Sequence, residues 1–140
     1  EIEIKKEDIK FSYRGTDLSD DLIIISAKLK GSIGKKNVIE KKQLNFIEIK
    51  KLSQPSQIKT CGSTFKNISK DLKAWKLIKK AGCDQLEEGD AVISQKHCNF
   101  FVNKGNAKSS DIEKLIKKVK KKVFEETGKS LELEIKIVGE

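Results

Sequence analysis

Apolar residues recur at helical spacing most clearly over residues 110–127. One face of this stretch is apolar and the other is rich in lysine, which is the pattern of an amphipathic helix packed on a core. The sequence Ser110-Asp111-Ile112-Glu113 has the form of a capping box, and Gly128 is suited to end the helix. The stretch therefore predicts a helix whose buried stripe consists of Ile112, Leu115, Ile116, Val119 and Val123.

Two further helices are predicted from weaker patterns. Residues 35–51 have a moderate helical spacing of apolar positions. The second helix follows Ser69 and Asp71, which are both suited to cap it, and ends near Gly82, a residue that favours the left-handed conformation of a helix end. Its apolar face, which we expect to pack in the core, consists of Leu72, Trp75 and Ile78.

Four stretches have the pattern of β-strands. Residues 22–29 form an apolar run that predicts a buried strand, and residues 91–93 and 99–102 predict two short strands. Residues 131–137 alternate strictly between apolar and charged side chains, which predicts a half-buried strand. The polar face of this last strand carries Glu132, Glu134 and Lys136.

The order of these elements predicts the fold class. From about residue 58 the chain follows a β-α-β-β-α-β pattern, which is typical of an α+β domain with helices on a mostly antiparallel sheet. Residues 31–34 contain two glycines and interrupt the pattern. We therefore expect a domain boundary there, with residues 1–33 in one domain and residues 34–140 in another.

The chain is basic, with a net charge of +9 over 140 residues. All of its 30 basic residues except Arg14 are lysines, whereas proteins that bind nucleic acid favour arginine. We therefore expect no nucleic-acid partner and expect the lysines of residues 114–122 to face solvent. The alternative that stays open is a basic module that binds RNA or a phosphate-bearing surface through this lysine-rich helix face.

Other features of the composition narrow the function classes. No apolar run approaches the ~20 residues that cross a bilayer, so no membrane partner is expected. The three cysteines, Cys61, Cys83 and Cys98, lack C-x-x-C spacing, which indicates reduced thiols rather than a disulfide framework or a metal site. Because the sequence contains no methionine, we expect it to be a piece of a longer protein.

Polar groups suited to chemistry are concentrated in residues 60–67. Gly62 allows the close approach of a ligand, Ser63 offers a hydroxyl, and Asn67 offers both amide functions. Outside this loop, Arg14 is the one arginine, and a guanidinium binds a carboxylate or an oxyanion in two places at once. His97 is the one histidine, and considered alone it is more often a structural residue than a catalytic one.

A series of motifs follows a characteristic order along nearly the whole chain. They are Phe11-Ser12-Tyr13-Arg14-Gly15-Thr16, Gln54-Pro55, Cys61-Gly62-Ser63-Thr64-Phe65-Lys66-Asn67, Ala74-Trp75-Lys76-Leu77-Ile78, Lys96-His97-Cys98-Asn99-Phe100, Asn103-Lys104-Gly105-Asn106-Ala107 and residues 132–139. Together they resemble the C-terminal half of the UDP-N-acetylenolpyruvoylglucosamine reductase family, in the shorter of its two forms. Two positions depart from the family pattern, because Ile68 and Leu133 stand where the family usually has proline.

The resemblance implies an enzyme, namely a flavoprotein oxidoreductase with UDP-N-acetylmuramate dehydrogenase activity. Such an enzyme reduces UDP-N-acetylglucosamine enolpyruvate to UDP-N-acetylmuramate, with FAD as the cofactor and NADPH as the hydride donor. Its small-molecule partner is the UDP-sugar. The reaction belongs to peptidoglycan precursor synthesis in the cytoplasm, and thereby to cell-wall biogenesis, cell shape and cell division.

The resemblance also implies a division of the chain into functional parts. Family members are considerably longer, and the part without a counterpart here carries most of the FAD-binding domain. Residues 1–33 would be the tail of that domain, and residues 34–140 would be the C-terminal substrate-binding domain. We therefore expect the isolated chain to be inactive, and the intact enzyme to be a monomer.

The implied chemistry assigns a role to three side chains. Hydride addition to the enolpyruvyl double bond leaves negative charge on the adjoining carboxylate and requires a proton at the adjacent carbon. By resemblance, the catalytic residues are Arg14, which stabilises the charge, Ser63, which donates the proton, and Glu134, which helps to polarise the same group.

The resemblance assigns binding roles to a further set of residues, none of them a metal ligand. The expected substrate-binding residues are Gln54, Lys66, Asn67 and His97, and Lys66 is expected to screen the phosphates. The expected FAD contacts are Tyr13, Arg14 and Gly62.

Overall fold

The computed structural model describes residues 1–56 and 58–139. The contacts within the chain divide it into two compact units, Glu1–Lys35 and Lys36–Glu140. The first unit is small, and most of its side chains are exposed. The second unit contains the buried core and the larger sheet.

The first unit is organised around a two-stranded hairpin of β1 (Phe11–Ser12) and β2 (Gly15–Thr16). Asp17 closes the hairpin, because its Oδ1 accepts a hydrogen bond of 2.8 Å from the backbone N–H of Lys10. At the turn, Arg14 has a φ of 63°, in the left-handed region that non-glycine residues seldom occupy.

The predicted strand over residues 22–29 is wrong. These residues are in irregular structure, and the side chains of Ile23, Ile24 and Ile25 are exposed. A strand is stable only when a neighbouring strand accepts and donates its backbone hydrogen bonds. Within the described part of the first unit, the only strands that pair are β1 and β2. The apolar run therefore indicated strand propensity, but no strand described in this unit pairs with residues 22–29.

The sheet of the second unit consists of β3 (Lys59–Ser63), β4 (Glu87–Glu88), β5 (Ala91–Ile93) and β6 (Phe100–Asn103). These four strands are antiparallel and follow the order β3-β6-β5-β4. Short connections join β4 to β5 and β5 to β6. This confirms the α+β class with a mostly antiparallel sheet.

Two helices cover the sheet and enclose the core. The helix α3 (Ser109–Thr127) packs against β4 and β5 and also against α2 (Ala74–Lys80). The predicted apolar stripe of α3 is confirmed, with four of its members fully buried and Ile112 half-buried at its edge. The cluster that it joins also contains Phe65, Ile78, Ile93, Phe101 and Leu131.

The N-cap of α3 lies two residues before the predicted one, at Lys108 instead of Ser110. The helix begins at Ser109, and the Asp111 carboxylate accepts a hydrogen bond of 2.9 Å from the backbone N–H of Lys108. Gly128 ends the helix in the left-handed conformation, with a φ of 64°, as the sequence predicted.

The helix α1 (Lys36–Ser53) opens the second unit and confirms the helix predicted over residues 35–51. All of its residues are exposed, including large apolar ones such as Phe46 and Leu52. Among the helices that the structure describes, each is too short or too polar to cross a lipid bilayer.

Two local predictions in the second unit need correction. Residues 131–137 do not form a regular strand, because their ladder is reduced to one antiparallel bridge, between Leu133 and Phe65. Leu133 and Ile135 nevertheless pack on the core as the alternation predicted, whereas Ile137 is exposed. Trp75 is not a core residue: 37% of its surface is exposed, because the buried face of α2 consists of Ala74, Leu77 and Ile78.

Candidate active site

The predicted loop around Ser63 lies where the regular pairing of β3 ends. The register between β3 and β6 shifts between Thr60, which pairs with Val102, and Ser63, which pairs with Phe100. Gly62 lies within this shift and has a φ of +83°, so glycine is favoured here for its conformation as well as for its small size. No described atom lies within 4 Å of a Cβ built at Gly62, so the surface beside it is open.

Beyond Ser63, the side chain of Asn99 takes the place of a neighbouring strand. Its Oδ1 accepts a hydrogen bond of 3.0 Å from the backbone N–H of Phe65, and its Nδ2 donates one of 2.8 Å to the Phe65 carbonyl oxygen. The backbone carbonyl of Asn99 accepts a further hydrogen bond of 2.7 Å from the N–H of Thr64. The path of the chain directly after Ser63 is therefore fixed by one residue of the β5–β6 loop.

The other side of the same segment is held by residues 132–134. The Glu134 N–H donates to the Thr64 carbonyl oxygen at 2.9 Å, and the Lys66 N–H donates to the Glu132 carbonyl oxygen at 2.8 Å. These bonds flank the bridge between Phe65 and Leu133. They place Glu134 beside Thr64, the residue that follows Ser63 in the chain.

Glu134 is half-buried, and its Oε2 is inaccessible to solvent. Its neighbour in the alternation, Glu132, points to solvent with a side chain that is 79% exposed. The two carboxylates of the predicted polar face therefore have different surroundings. Only the carboxylate of Glu134 is placed in a partly dry environment, where a carboxyl group interacts more strongly with a neighbouring charge than it does in water.

Two of the predicted substrate-binding residues follow directly on this segment. Lys66 forms an ion pair with Glu132 at 3.7 Å, and such exposed pairs contribute only about 0–1 kcal/mol, so the ammonium group stays available to a phosphate. Asn67 supports the start of α2, because its Oδ1 accepts a hydrogen bond of 3.1 Å from the Ala74 N–H. Gln54 lies just after α1, where its N–H donates to the Lys50 carbonyl oxygen at 2.9 Å.

His97 lies in the β5–β6 loop beside two aromatic rings. Its imidazole is 4.9 Å from the Phe100 ring in an edge-to-face arrangement and 6.2 Å from the Trp75 ring. Its Nδ1 accepts a hydrogen bond of 3.3 Å from the Asn99 N–H, so the neutral ring carries its proton on Nε2. His97 is therefore held by its neighbours with a donor, Nε2–H, at the other side of the ring.

Burial lowers the pKa of His97 below its ordinary value of 6.5. Because the pKa of His97 is lower in the folded state, the unfolded state binds a proton more readily. The contribution of His97 to the stability of the folded state is therefore fully present above the unfolded-state pKa and is lost as the pH falls through the folded-state pKa. We expect the His97 ring protons of the intact protein to titrate by NMR with a midpoint below 6.5. The His97→Gln variant assigns the signal, and a midpoint at or above the ordinary value would contradict the structure.

Two predicted contacts to the flavin, Tyr13 and Arg14, lie in the first unit. The Arg14 guanidinium carbon is 5.6 Å from the centre of the Tyr13 ring, and both side chains are exposed. The approach of Arg14 to the pair of Ser63 and Glu134 stays a prediction.

Asn99 is a residue of this site to which the sequence analysis assigned no role, although it belongs to the motif Lys96-His97-Cys98-Asn99-Phe100. The buried polar residues that the structure describes are Thr64, Ser94 and Asn99, and all three lie around the end of β3 and the β5–β6 loop. Buried polar groups are stable when they are hydrogen-bonded, so a cluster of them marks a place where the fold fixes a local geometry. A lone asparagine in a sequence carries no sign of such burial.

The lysine-rich face of α3 and the three cysteines have no assigned role in this site, although Cys61 and Cys98 stand next to site residues in the sequence. Lys118 bonds the Glu88 carboxylate, and Lys122 donates to the Gly82 carbonyl oxygen at 3.1 Å, so part of the lysine-rich face of α3 is engaged within the domain. Cys83 and Cys98 are buried free thiols whose pKa values are raised by burial, and Cys61 is an exposed free thiol. Residues 1–56 and 58–139 contain no group of His, Cys, Asp or Glu side chains arranged to hold a metal ion.

Comparison with known proteins places this chain in a family. Residues 54–138, more than half of the chain, match the family model described as UDP-N-acetylenolpyruvoylglucosamine reductase, C-terminal domain. The chain belongs to the UDP-N-acetylenolpyruvoylglucosamine reductase family. This confirms the resemblance that the motifs indicated.

Relatives that bear the name of the reductase are similar along most of this chain. The one from Pelagibacter ubique is 50% identical over 130 residues, which cover 91% of this chain and 43% of the relative. The one from Wolbachia pipientis is 42% identical over 137 residues, which cover 98% of this chain and 46% of the relative. The chain thus spans less than half the length of these reductases.

A solved reductase structure shares the fold. The crystal structure of the enzyme from Thermus caldophilus superimposes with a TM-score of 0.77 at 34% sequence identity, over 93% of this chain and 46% of that one. The likeness therefore extends over both the sequence motifs and the three-dimensional arrangement of this part of the reductase fold.

Proposed function

We propose that this chain forms the substrate-binding part of a flavin-dependent reductase that converts UDP-N-acetylglucosamine enolpyruvate to UDP-N-acetylmuramate in peptidoglycan precursor synthesis. The proposal rests on the family assignment together with one structural observation. Ser63 and Glu134, which are far apart in the sequence, lie on segments joined by the hydrogen bond from the Glu134 N–H to the Thr64 carbonyl oxygen. A proton donor and a carboxyl group are the pair that reduction of an enolpyruvyl group requires.

In the proposed reaction the protein must supply a proton and stabilise a developing negative charge. Ser63 donates its hydroxyl proton to the carbon atom that becomes basic, or relays a proton from water. Glu134 acts as a neutral acid or a hydrogen-bond partner for the substrate carboxylate from a partly buried position. Arg14 provides the cationic group for that same carboxylate, since a guanidinium binds a carboxylate through two hydrogen bonds.

The family resemblance assigns substrate binding to four further residues. Lys66 screens the phosphates, Asn67 and Gln54 bind the UDP-sugar, and His97 offers its Nε2–H as a hydrogen-bond donor. The hydrogen bond from the Lys66 N–H to Glu132 and the bond from Ala74 to Asn67 hold these two residues in place without the substrate. This part of the site is therefore preorganised, which lowers the entropic cost of binding.

The described residues fit a contact with the flavin rather than its complete binding site. Gly62 leaves an open surface next to Ser63, and Tyr13 and Arg14 are exposed. When bound, FAD supplies the hydride, which it obtains from NADPH. Most of the groups that would hold it are assigned to the part of the reductase beyond this chain, so the chain by itself is expected to be colourless and inactive. The intact reductase is expected to be a cytoplasmic monomer.

The test of this function uses the intact protein that contains this chain. We expect it to show the visible absorbance of bound flavin, to lose that absorbance on addition of NADPH, and to recover it when UDP-N-acetylglucosamine enolpyruvate is added under anaerobic conditions. The product should have the mass of UDP-N-acetylmuramate. A preparation without flavin, or a reduced flavin that the substrate does not reoxidise, would contradict the proposal.

A salt titration separates this function from the alternative of a basic RNA- or phosphate-binding module. A protein that neutralises several phosphates loses affinity steeply as salt is added. We expect no specific RNA binding by the intact protein. Tight, steeply salt-dependent binding that is lost when Lys114 and Lys117 are replaced by glutamine would support the module instead.

A further inference from the structure

Asn99 has no assigned role, yet it makes hydrogen bonds to Thr64, Phe65 and His97. Asn99 is 3% exposed and lies where the β5–β6 loop enters β6. Its backbone and amide groups bond the segment that follows Ser63, and its N–H bonds the ring of His97. The segment that it bonds is in turn bonded by the backbone of Glu134.

The amide of Asn99 has the same groups as a peptide unit, namely one carbonyl oxygen and N–H donors. It bonds both the N–H and the carbonyl oxygen of Phe65, which is the pairing that a neighbouring strand would provide. The Asn99 amide provides this pairing because the regular ladder between β3 and β6 ends at the pair of Ser63 and Phe100. Without the Asn99 amide, the N–H and the carbonyl oxygen of Phe65 would lack these partners, and buried polar groups without partners destabilise the folded state.

We propose that Asn99 is a positioning residue of the reductase site: its amide fixes the segment after Ser63 to which Glu134 is bonded, and its backbone N–H orients the ring of His97. This inference rests on the proposed function and extends it. Two consequences are structural: the segment of Thr64 and Phe65 is rigid, and His97 is the Nε2–H tautomer. The third is catalytic, since a displacement of about 1 Å at a proton donor lowers a rate by as much as about 10²-fold.

The chain provides a matched control at the opposite end of the same strand. Asn103 ends β6, and its Oδ1 accepts hydrogen bonds from the N–H groups of Gly105 at 2.8 Å and Ala107 at 3.0 Å. It therefore makes the same kind of side-chain to backbone bonds as Asn99, but in a turn that contains no predicted site residue. Loss of stability alone should affect both variants, whereas loss of positioning should affect only Asn99.

The experiment compares Asn99→Ala, Asn99→Asp and Asn103→Ala in the intact protein. Asn99→Asp keeps the acceptor for the Phe65 N–H and loses the donor to the Phe65 carbonyl oxygen. At saturating substrate, we expect both Asn99 variants to reoxidise the reduced flavin about 10- to 100-fold more slowly than the wild type. Asn103→Ala should stay within about twofold of the wild type even if it melts at the same lowered temperature as the Asn99 variants.

An Asn99 variant that melts like Asn103→Ala and keeps its reoxidation rate would overturn the proposal. A second measurement uses the wild-type protein, so it does not depend on the folding of a variant. The nitrogen chemical shifts of His97 should show the proton on Nε2, and the amide proton of Phe65 should exchange slowly. A proton on Nδ1 or a rapidly exchanging Phe65 amide would also refute the role. If the substrate does not reoxidise the reduced flavin of the wild-type protein, the proposed reductase function is wrong. The two NMR measurements then still test whether Asn99 holds Phe65 and His97 as proposed.

Discussion

Replacing Ser63 by alanine in the intact reductase should leave reduction of the flavin by NADPH unchanged and should block its reoxidation by the substrate. The hydroxyl is expected to supply the proton that completes the reduction of the enolpyruvyl group, and general acids contribute about 10²–10⁴-fold to such steps. Because the first half-reaction does not need this proton, only the second should be slowed. Stopped-flow absorbance of the flavin measures the two halves separately.

The matched control for this variant is Cys61→Ala, which removes a polar atom two residues earlier in β3. Its thiol is exposed and has no assigned role, so both half-reactions should proceed at wild-type rates. If the Ser63→Ala traces show normal reoxidation, the hydroxyl is not the proton donor. If both half-reactions slow equally, the substitution has disturbed the shape of the site instead.

Replacing Glu134 by glutamine should lower the rate of flavin reoxidation by about 10²–10³-fold, which is typical for the loss of one group that stabilises developing charge. Glutamine keeps the size of the side chain and most of its hydrogen-bonding capacity, but it lacks the acidic proton and the charge. Because Oε2 is inaccessible to solvent, water is not available at this atom to replace the lost function. The first half-reaction should again be unaffected.

Glu132→Gln is the control for this variant, since it makes the same chemical change two residues earlier on an exposed side chain. Its ion pair with Lys66 is weak, so the maximal reoxidation rate should be retained and only the KM should change, by a small factor. Equal losses of rate in both variants would show that charge in this segment matters in general and that Glu134 has no special role.

The amphipathic pattern was sufficient to predict the elements that form the core. The apolar stripe of α3 and the left-handed end at Gly128 follow from local spacing, because a helix satisfies its own backbone and needs only one apolar face to pack. The α+β class followed from the order of the elements. The motif around Ser63 also identified the segment that now lies at the centre of the candidate site.

Strands were predicted less well, because their stability depends on partners that lie elsewhere in the chain. Residues 22–29 have the composition of a buried strand and are exposed, since no strand described in their unit pairs with them. Residues 131–137 alternate as a strand does, but their pairing is confined to the bridge at Leu133. Trp75 has helical spacing with Ile78 and is nevertheless exposed, because the residues that share the buried face of α2 with Ile78 are Ala74 and Leu77.

The sequence by itself determined the family, the fold class and the identities of the residues proposed to act on the substrate, because motif order and periodicity are properties of the linear chain. Only the tertiary structure decided that Glu134 is partly buried while Glu132 is exposed, and that Asn99 binds the segment after Ser63. Burial and long-range hydrogen bonds arise from segments brought together by folding. For this reason the support of the site became visible only in three dimensions.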